Sequence, residues 1–211
     1  VKLTTVLLDF GGTLDGPGVH WSTQFARAFG TAGARQTRRE LDQAFLRSEA
    51  LLAETPLPKD WDLGTYVRHQ AALIATALGL TTPVAERAAA SFLAEAETHL
   101  ARAAETLRAH ASVFRYGLVS NFPETLLAIV ERAGLRGFFA DVAISEVEKV
   151  RKPDRRLYER VLARLGVRPE ETAMVGDSLK NDVQGAKAAG IACAVWLKGD
   201  EAFGGGDPAT S

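Results

Sequence analysis

Strand signals alternate with helix signals at both ends of the chain, and a long stretch between them is helical throughout. That arrangement predicts an α/β protein, a parallel sheet with helices on both faces interrupted by an inserted all-helical unit. The run Thr4 to Phe10 carries Asp9 at the carboxyl end of its apolar residues, followed at once by Gly11 and Gly12. Such a carboxylate is delivered to the edge of a buried parallel sheet, where open α/β sheets bind ligands.

Gly16-Pro17-Gly18 suits a turn or hinge between two units. From Trp21 to about Leu100 the chain is rich in alanine, leucine and glutamate, and it predicts four helices. These are Ser22 to Phe29, Arg38 to Ala53, one carrying Tyr66, Ala71 and Ile74 that stops at Gly79, and one opened by Thr82-Pro83. Beyond them, Val113 to Val119, Phe138 to Ile144, Thr172 to Val175 and Ile191 to Leu197 read as strands. The helices between them open at Ser120-Asn121-Phe122-Pro123, at Pro153-Asp154 and at Ser178, the last running to Ala189. The expected division is a discontinuous core, 1–15 and 100–211, with a helical unit at 16–99 and a mobile tail at 203–211.

Composition narrows the function. A hydrophobic content of 46% and a charged content of 24% belong to an ordinary globular chain. A net charge of -1 with no long basic cluster offers nucleic acid no footprint, so a small-molecule partner is expected. No apolar run is long enough to span a membrane, and the single Cys193 lies in an apolar run and packs as a small hydrophobe. A cytoplasmic location is the expectation that fits.

Four stretches fall at strand ends: Asp9; Ser120-Asn121; Lys152-Pro153; and Gly176-Asp177 with Asp182 five residues on. Each has a plain structural alternative, since Ser120 or Asn121 could cap a helix, Asp177 could close a turn and Lys152 could be a solvated surface lysine. Together they place a carboxylate, a hydroxyl, a cation and an acidic pair on one crevice.

The set Asp9-Phe10-Gly11-Gly12-Thr13-Leu14, Leu118-Val119-Ser120-Asn121, Arg151-Lys152-Pro153-Asp154 and Met174 to Ala186 resembles the haloacid dehalogenase-like hydrolase superfamily. The resemblance implies a Rossmann-like core with a helical cap inserted after the first motif, and a Mg²⁺-dependent phosphatase acting on a small phosphorylated metabolite. It implies Asp9 as nucleophile, and Mg²⁺ held by Asp9, Asp177 and the backbone carbonyl of Gly11. It further implies Ser120, Asn121, Gly12 and Lys152 as contacts of the phosphoryl group, with Asp182 in support and Lys149 as a second-choice cation.

Phosphoryl transfer needs this equipment because its charge spreads over oxygens that must be neutralised and held. One position departs from the family pattern: the usual second aspartate, two residues after the nucleophile, is replaced by Gly11. Asp15 and His20 are the nearest titratable substitutes for that acid/base. Trp21, Trp61, Tyr66, Arg68 and His69 could face a substrate from the cap, although large aromatics more often form core. Two other readings remain: a phosphate-ligand binding or regulatory protein without turnover, and a metal-free 2-haloacid dehalogenase.

Overall fold

A computed structural model of the chain describes residues 2–199; the tail expected at 203–211 lies outside the described residues. Five strands, β1 (Thr5–Leu8), β2 (Arg115–Ser120), β3 (Phe139–Ile144), β4 (Thr172–Gly176) and β5 (Cys193–Trp196), form one sheet in the order β3-β2-β1-β4-β5. Every pairing is parallel, with Leu8 opposite both Leu118 and Val175. The chain builds outward from β1 through β2 to β3, then returns to the other side of β1 for β4. That reversal opens a crevice between the carboxyl ends of β1 and β4, and Asp9 and Asp177 stand there.

Side-chain alternation splits the core into two layers. Leu7, Val119, Ala143 and Met174 face one way and pack with Leu157, Tyr158, Val161 and Leu165 of α7 (Arg155–Leu165). Leu8, Leu118 and Ile144 face the other way and join the cluster of the four long helices. These are α1 (Trp21–Thr31), α2 (Arg38–Glu54), α3 (Leu63–Ala77) and α4 (Thr82–His110). Helices therefore cover both faces, as the unbroken apolar strands require.

Local signals explain the helix ends. Thr37 and Glu40 form a reciprocal capping box at the start of α2, Pro83 sits in the first turn of α4, and Asp154 caps α7. Gly166 ends α7 in the left-handed conformation at φ 64°.

Three expectations need correction. First, α4 runs 29 residues, straight through the boundary expected at 99/100, because its apolar face continues through Leu100 and Leu107 into the core. Second, no helix opens at Asn121. Its side chain is committed to the backbone of Lys152, and α5 (Leu126–Arg132) starts only after the Pro123 turn. Third, the helix expected over Ser178 to Ala189 begins as a π-helical turn, Leu179–Gln184, before the short α8 (Gly185–Ala188). A four-residue helix, α6 (Ser145–Glu148), follows β3 and was not expected.

Candidate active site

The site is assembled from the ends of β1, β2 and β4; Lys152, expected at a strand end, reaches it instead from the loop after α6, and Asp182 from the π-helical turn. Asp9 follows β1 and is 8% exposed; its amide donates to Val175 O of β4 at 3.0 Å. Its Oδ1 accepts from Phe10 N at 2.7 Å and Ser120 Oγ at 2.9 Å, and pairs with Lys152 Nζ at 2.8 Å. Oδ2 takes none of these bonds. One carboxylate oxygen is thus fixed by three donors, and the ring of partners sets the direction of the other.

Lys152 is 2% exposed and lies between two carboxylates, with Asp182 Oδ1 at 2.6 Å on its other side. Burial pulls its pKa down, but the charges and hydrogen bonds of Asp9 and Asp182 outweigh it and hold the ammonium above its ordinary value. Asn121 clamps the backbone of the same residue: its Nδ2 donates to Lys152 O at 2.9 Å and its Oδ1 accepts from Lys152 N at 2.8 Å. The π-helical turn after Ser178 places Asp182 under the lysine, where its Oδ2 also accepts from Ser178 N at 2.9 Å. Such widened turns recur at functional sites because they re-aim side chains.

Asp177 completes a cluster. Oxygens of Asp9, Asp177 and Asp182 lie within 4.8 Å of one another. Burial, then the charges of Asp9 and Asp182, push Asp177 up to about 7, and the same causes, burial first and Asp9 second, raise Asp182. Asp177 Oδ2 is buried with no hydrogen-bond partner. It lies so close over Gly12 that a Cβ there would come within 2.5 Å of it, and Gly12 has φ +80°. Three carboxylates with one lysine between them are short of positive charge, and hard oxygen donors with an orphaned atom suit a small divalent cation.

The sequence candidates separate clearly. Asp9, Gly11, His20, Ser120, Lys152 and Asp177 line one cavity of about 90 Å³, together with Asn121, Trp21 and Tyr66. Gly12 is buried, and its amide donates to Asp15 Oδ1 at 2.7 Å, which turns it away from the cavity. Asp15 is fully buried outside the cavity lining, its other oxygen accepting from Trp21 Nε1 at 2.8 Å; burial pushes it up to about 8. Lys149 is exposed, with φ 55°, and is absent from the lining, as are Trp61, Arg68 and His69. His20 stands at the exposed rim and caps α1, its Nδ1 accepting from Ser22 N at 3.2 Å; partial enclosure lowers its pKa, and Asp9 opposes that shift.

Sequence reasoning missed Phe45, Glu49, Phe122, Pro123, Ser178 and Asn181, which also line the cavity. Phe122 and Pro123 sit beside Ser120 in the chain and could have been found by adjacency. Phe45 and Glu49 are four residues apart on α2, a helical spacing that puts a carboxylate beside an apolar face. That spacing was the available signal.

A family model described as haloacid dehalogenase-like hydrolase matches residues 3–190. The chain belongs to this hydrolase family. Among its relatives, phosphoserine phosphatase of Thermus thermophilus is 42% identical over 80 residues, which is 38% of this chain and 32% of the relative. The aligned part is therefore about a third of that relative's length. The magnesium-bound hydrolase YfnB of Bacillus subtilis is 22% identical, with 93% of this chain and 87% of that one covered at a TM-score of 0.58. The L-2-haloacid dehalogenase of Xanthobacter autotrophicus is 24% identical over 92% and 77%, with a TM-score of 0.56. These two likenesses establish the fold of a haloacid dehalogenase-like hydrolase across nearly all of the chain.

Proposed function

We propose that the protein is a Mg²⁺-dependent phosphatase acting on a small phosphate ester, with the helical unit as a cap over the crevice. The observation that carries this reading is the buried, unpartnered Asp177 Oδ2 beside Asp9 and Asp182. Displacement of halide from carbon gives such a cluster nothing to do, whereas phosphoryl transfer calls for a cation there. The phosphatase name of the Thermus relative agrees with it.

Asp9, Asp177 and the carbonyl of Gly11 would hold Mg²⁺, which when bound supplies charge neutralisation for phosphoryl oxygens. Asp9 attacks phosphorus, the ester P–O bond breaks, and the alcohol departs with a proton. Water then attacks the aspartyl-phosphate, which releases inorganic phosphate and restores the Asp9 carboxylate. Ser120 Oγ and Lys152 Nζ would hold the phosphoryl oxygens as charge develops, a role their contacts within 2.9 Å of Asp9 Oδ1 support. Asp182 fixes the lysine, and Asn121 fixes the segment that carries it. With Gly11 at the usual acid position, His20, the histidine of the lining and a group on which the Asp9 charge acts, would pass the proton. Asp15 has both oxygens engaged elsewhere.

Gly11 also supports a second reading, a phosphate-binding protein without turnover, since a lost acid/base costs about 10²- to 10⁴-fold in rate. Phosphate release from p-nitrophenyl phosphate and acetyl phosphate separates the two. The expected result is Mg²⁺-dependent release that EDTA stops and that falls to background in Asp9→Asn. Turnover surviving both treatments removes Asp9 and the metal from the mechanism, and Mg²⁺ and phosphate binding with no release from either ester selects the binding protein.

A further inference from the structure

We propose that the ester this site takes carries an ammonium group on its leaving side and no carboxylate, and that Glu49 is the residue that reads it. This rests on the phosphatase reading and names its substrate class. Asp9, Ser120, Lys152 and Asp177 form the phosphate end of the cavity. The rings of Trp21, Phe45, Tyr66 and Phe122 also line it, Trp21 standing beside Gly11, and Glu49 is the carboxylate of the lining outside the phosphate end.

The rings and the carboxylate line the same space. Trp21 meets Tyr66 at 5.8 Å and Phe122 at 5.4 Å between centroids, edge to face, and Tyr66 meets Phe122 at 4.9 Å. An aromatic wall attracts a cation through its quadrupole, and one carboxylate at its rim pairs with the same charge. Glu49 does not hang free: Gln70 Nε2 donates to its Oε1 at 2.6 Å, and Gln70 is fully buried on α3. The same Nε2 lies 3.2 Å from Ser48 Oγ, so the amide is oriented by two acceptors on α2.

The wall also rejects. Apart from Lys152, which is committed to the phosphate end, no lysine or arginine lines the cavity among the described residues. A carboxylate on the leaving group would meet Glu49 with like charge and, apart from Lys152, no cation in the lining, which is discrimination by repulsion. Burial raises the Glu49 pKa above its ordinary value, and the Gln70 bond and, from outside the lining, Arg151 work against that shift. Burial holds His20, which also lines the cavity, below its ordinary pKa, with Asp9 opposing that shift.

Three esters test this: the isosteric pair O-phosphoethanolamine and 2-hydroxyethyl phosphate, and the acid phosphoglycolate, with p-nitrophenyl phosphate as the general reporter of turnover. The expected order of kcat/KM is amine above alcohol above acid, with about tenfold between amine and alcohol. Glu49→Gln, at an exposed position that tolerates exchange, should shrink the amine-to-alcohol ratio to within about threefold, and Glu49→Lys should raise phosphoglycolate above the amine. Preference for phosphoglycolate in the unaltered protein, or an amine-to-alcohol ratio that Glu49→Gln leaves unchanged, overturns the assignment while the phosphatase reading stands. No release from any ester, p-nitrophenyl phosphate included, overturns the phosphatase reading and the substrate class with it.

Discussion

The hydrogen of Gly11 faces the indole of Trp21. A Cβ at that position would lie 3.3 Å from Trp21 Nε1 and 3.4 Å from Cδ1, so an aspartate side chain would run into a ring that is 6% exposed and pinned through Nε1 to Asp15. The position at which the resemblance leads one to expect an acid faces the ring of Trp21. Restoring the aspartate alone should therefore fail: Gly11→Asp is expected to cost about 1–3 kcal/mol through overpacking and to give no gain in p-nitrophenyl phosphate turnover. Thermal melts with parallel rate measurements check both halves, and a tenfold gain in rate would show that the indole swings aside. Asp9, Ser120 and Asp177 were legible as residues of the crevice because each stands at or just past the end of a strand, which fixes where its side chain points; Lys152 lies beyond α6 and is brought there by the Asn121 clamp on its backbone. Glu49 and Phe45 were not, because they reach the site across a helix bundle whose rotation about the crevice is set by packing.

Among the elements, the turn after β4 does the most to shape the site. Helical periodicity over Ser178 to Ala189 predicts regular α-helix, but side-chain bonds of Asp182, one within the segment and one to Lys152, accompany a widened first turn. Asp182 N and Val183 N both point to Ser178 O, while the Asp182 side chain reaches Ser178 N and Lys152. Gly176 makes room for this: a Cβ on it would come within 2.2 Å of Asp182 Cγ. Gly176→Ala is thus expected to push Asp182 off the lysine, with a loss of about 2 kcal/mol or more and of most turnover. Gly137→Ala, with nothing within 4 Å of its Cβ, is the control that should leave both unchanged. The same distinction governs what else was readable. Helix starts at Thr37 and Asp154 are written in local capping chemistry. The full reach of α4 depends on Leu100 and Leu107 finding core partners, which local sequence does not report.

Over the whole molecule, the crevice stores like charge in a folded chain that could otherwise spread it in water. Burial raises Asp15 to about 8 and Asp177 to about 7, and it raises Asp182 as well, all from an unfolded value near 3.8. As pH climbs past 4 the unfolded chain gives up these protons first, while the folded chain keeps them until about 7 to 8. In that window the folded state binds more protons, so stability falls as pH rises. Lys152 works in the other direction of charge: its raised pKa contributes stability that is fully present below about 10.5 and so is constant across the same window. The metal-free protein should therefore melt several degrees lower at pH 8 than at pH 5. Added Mg²⁺ should raise the melting temperature more at pH 8 than at pH 5, because a cation stabilises the ionised carboxylates and must compete with their protons. Melting curves at both pH values, with Mg²⁺ and with EDTA, measure this directly. A metal-free melting temperature that rises from pH 5 to pH 8 would mean that donors already compensate the crevice carboxylates, and the need for a cation at Asp177 would lose its physical basis.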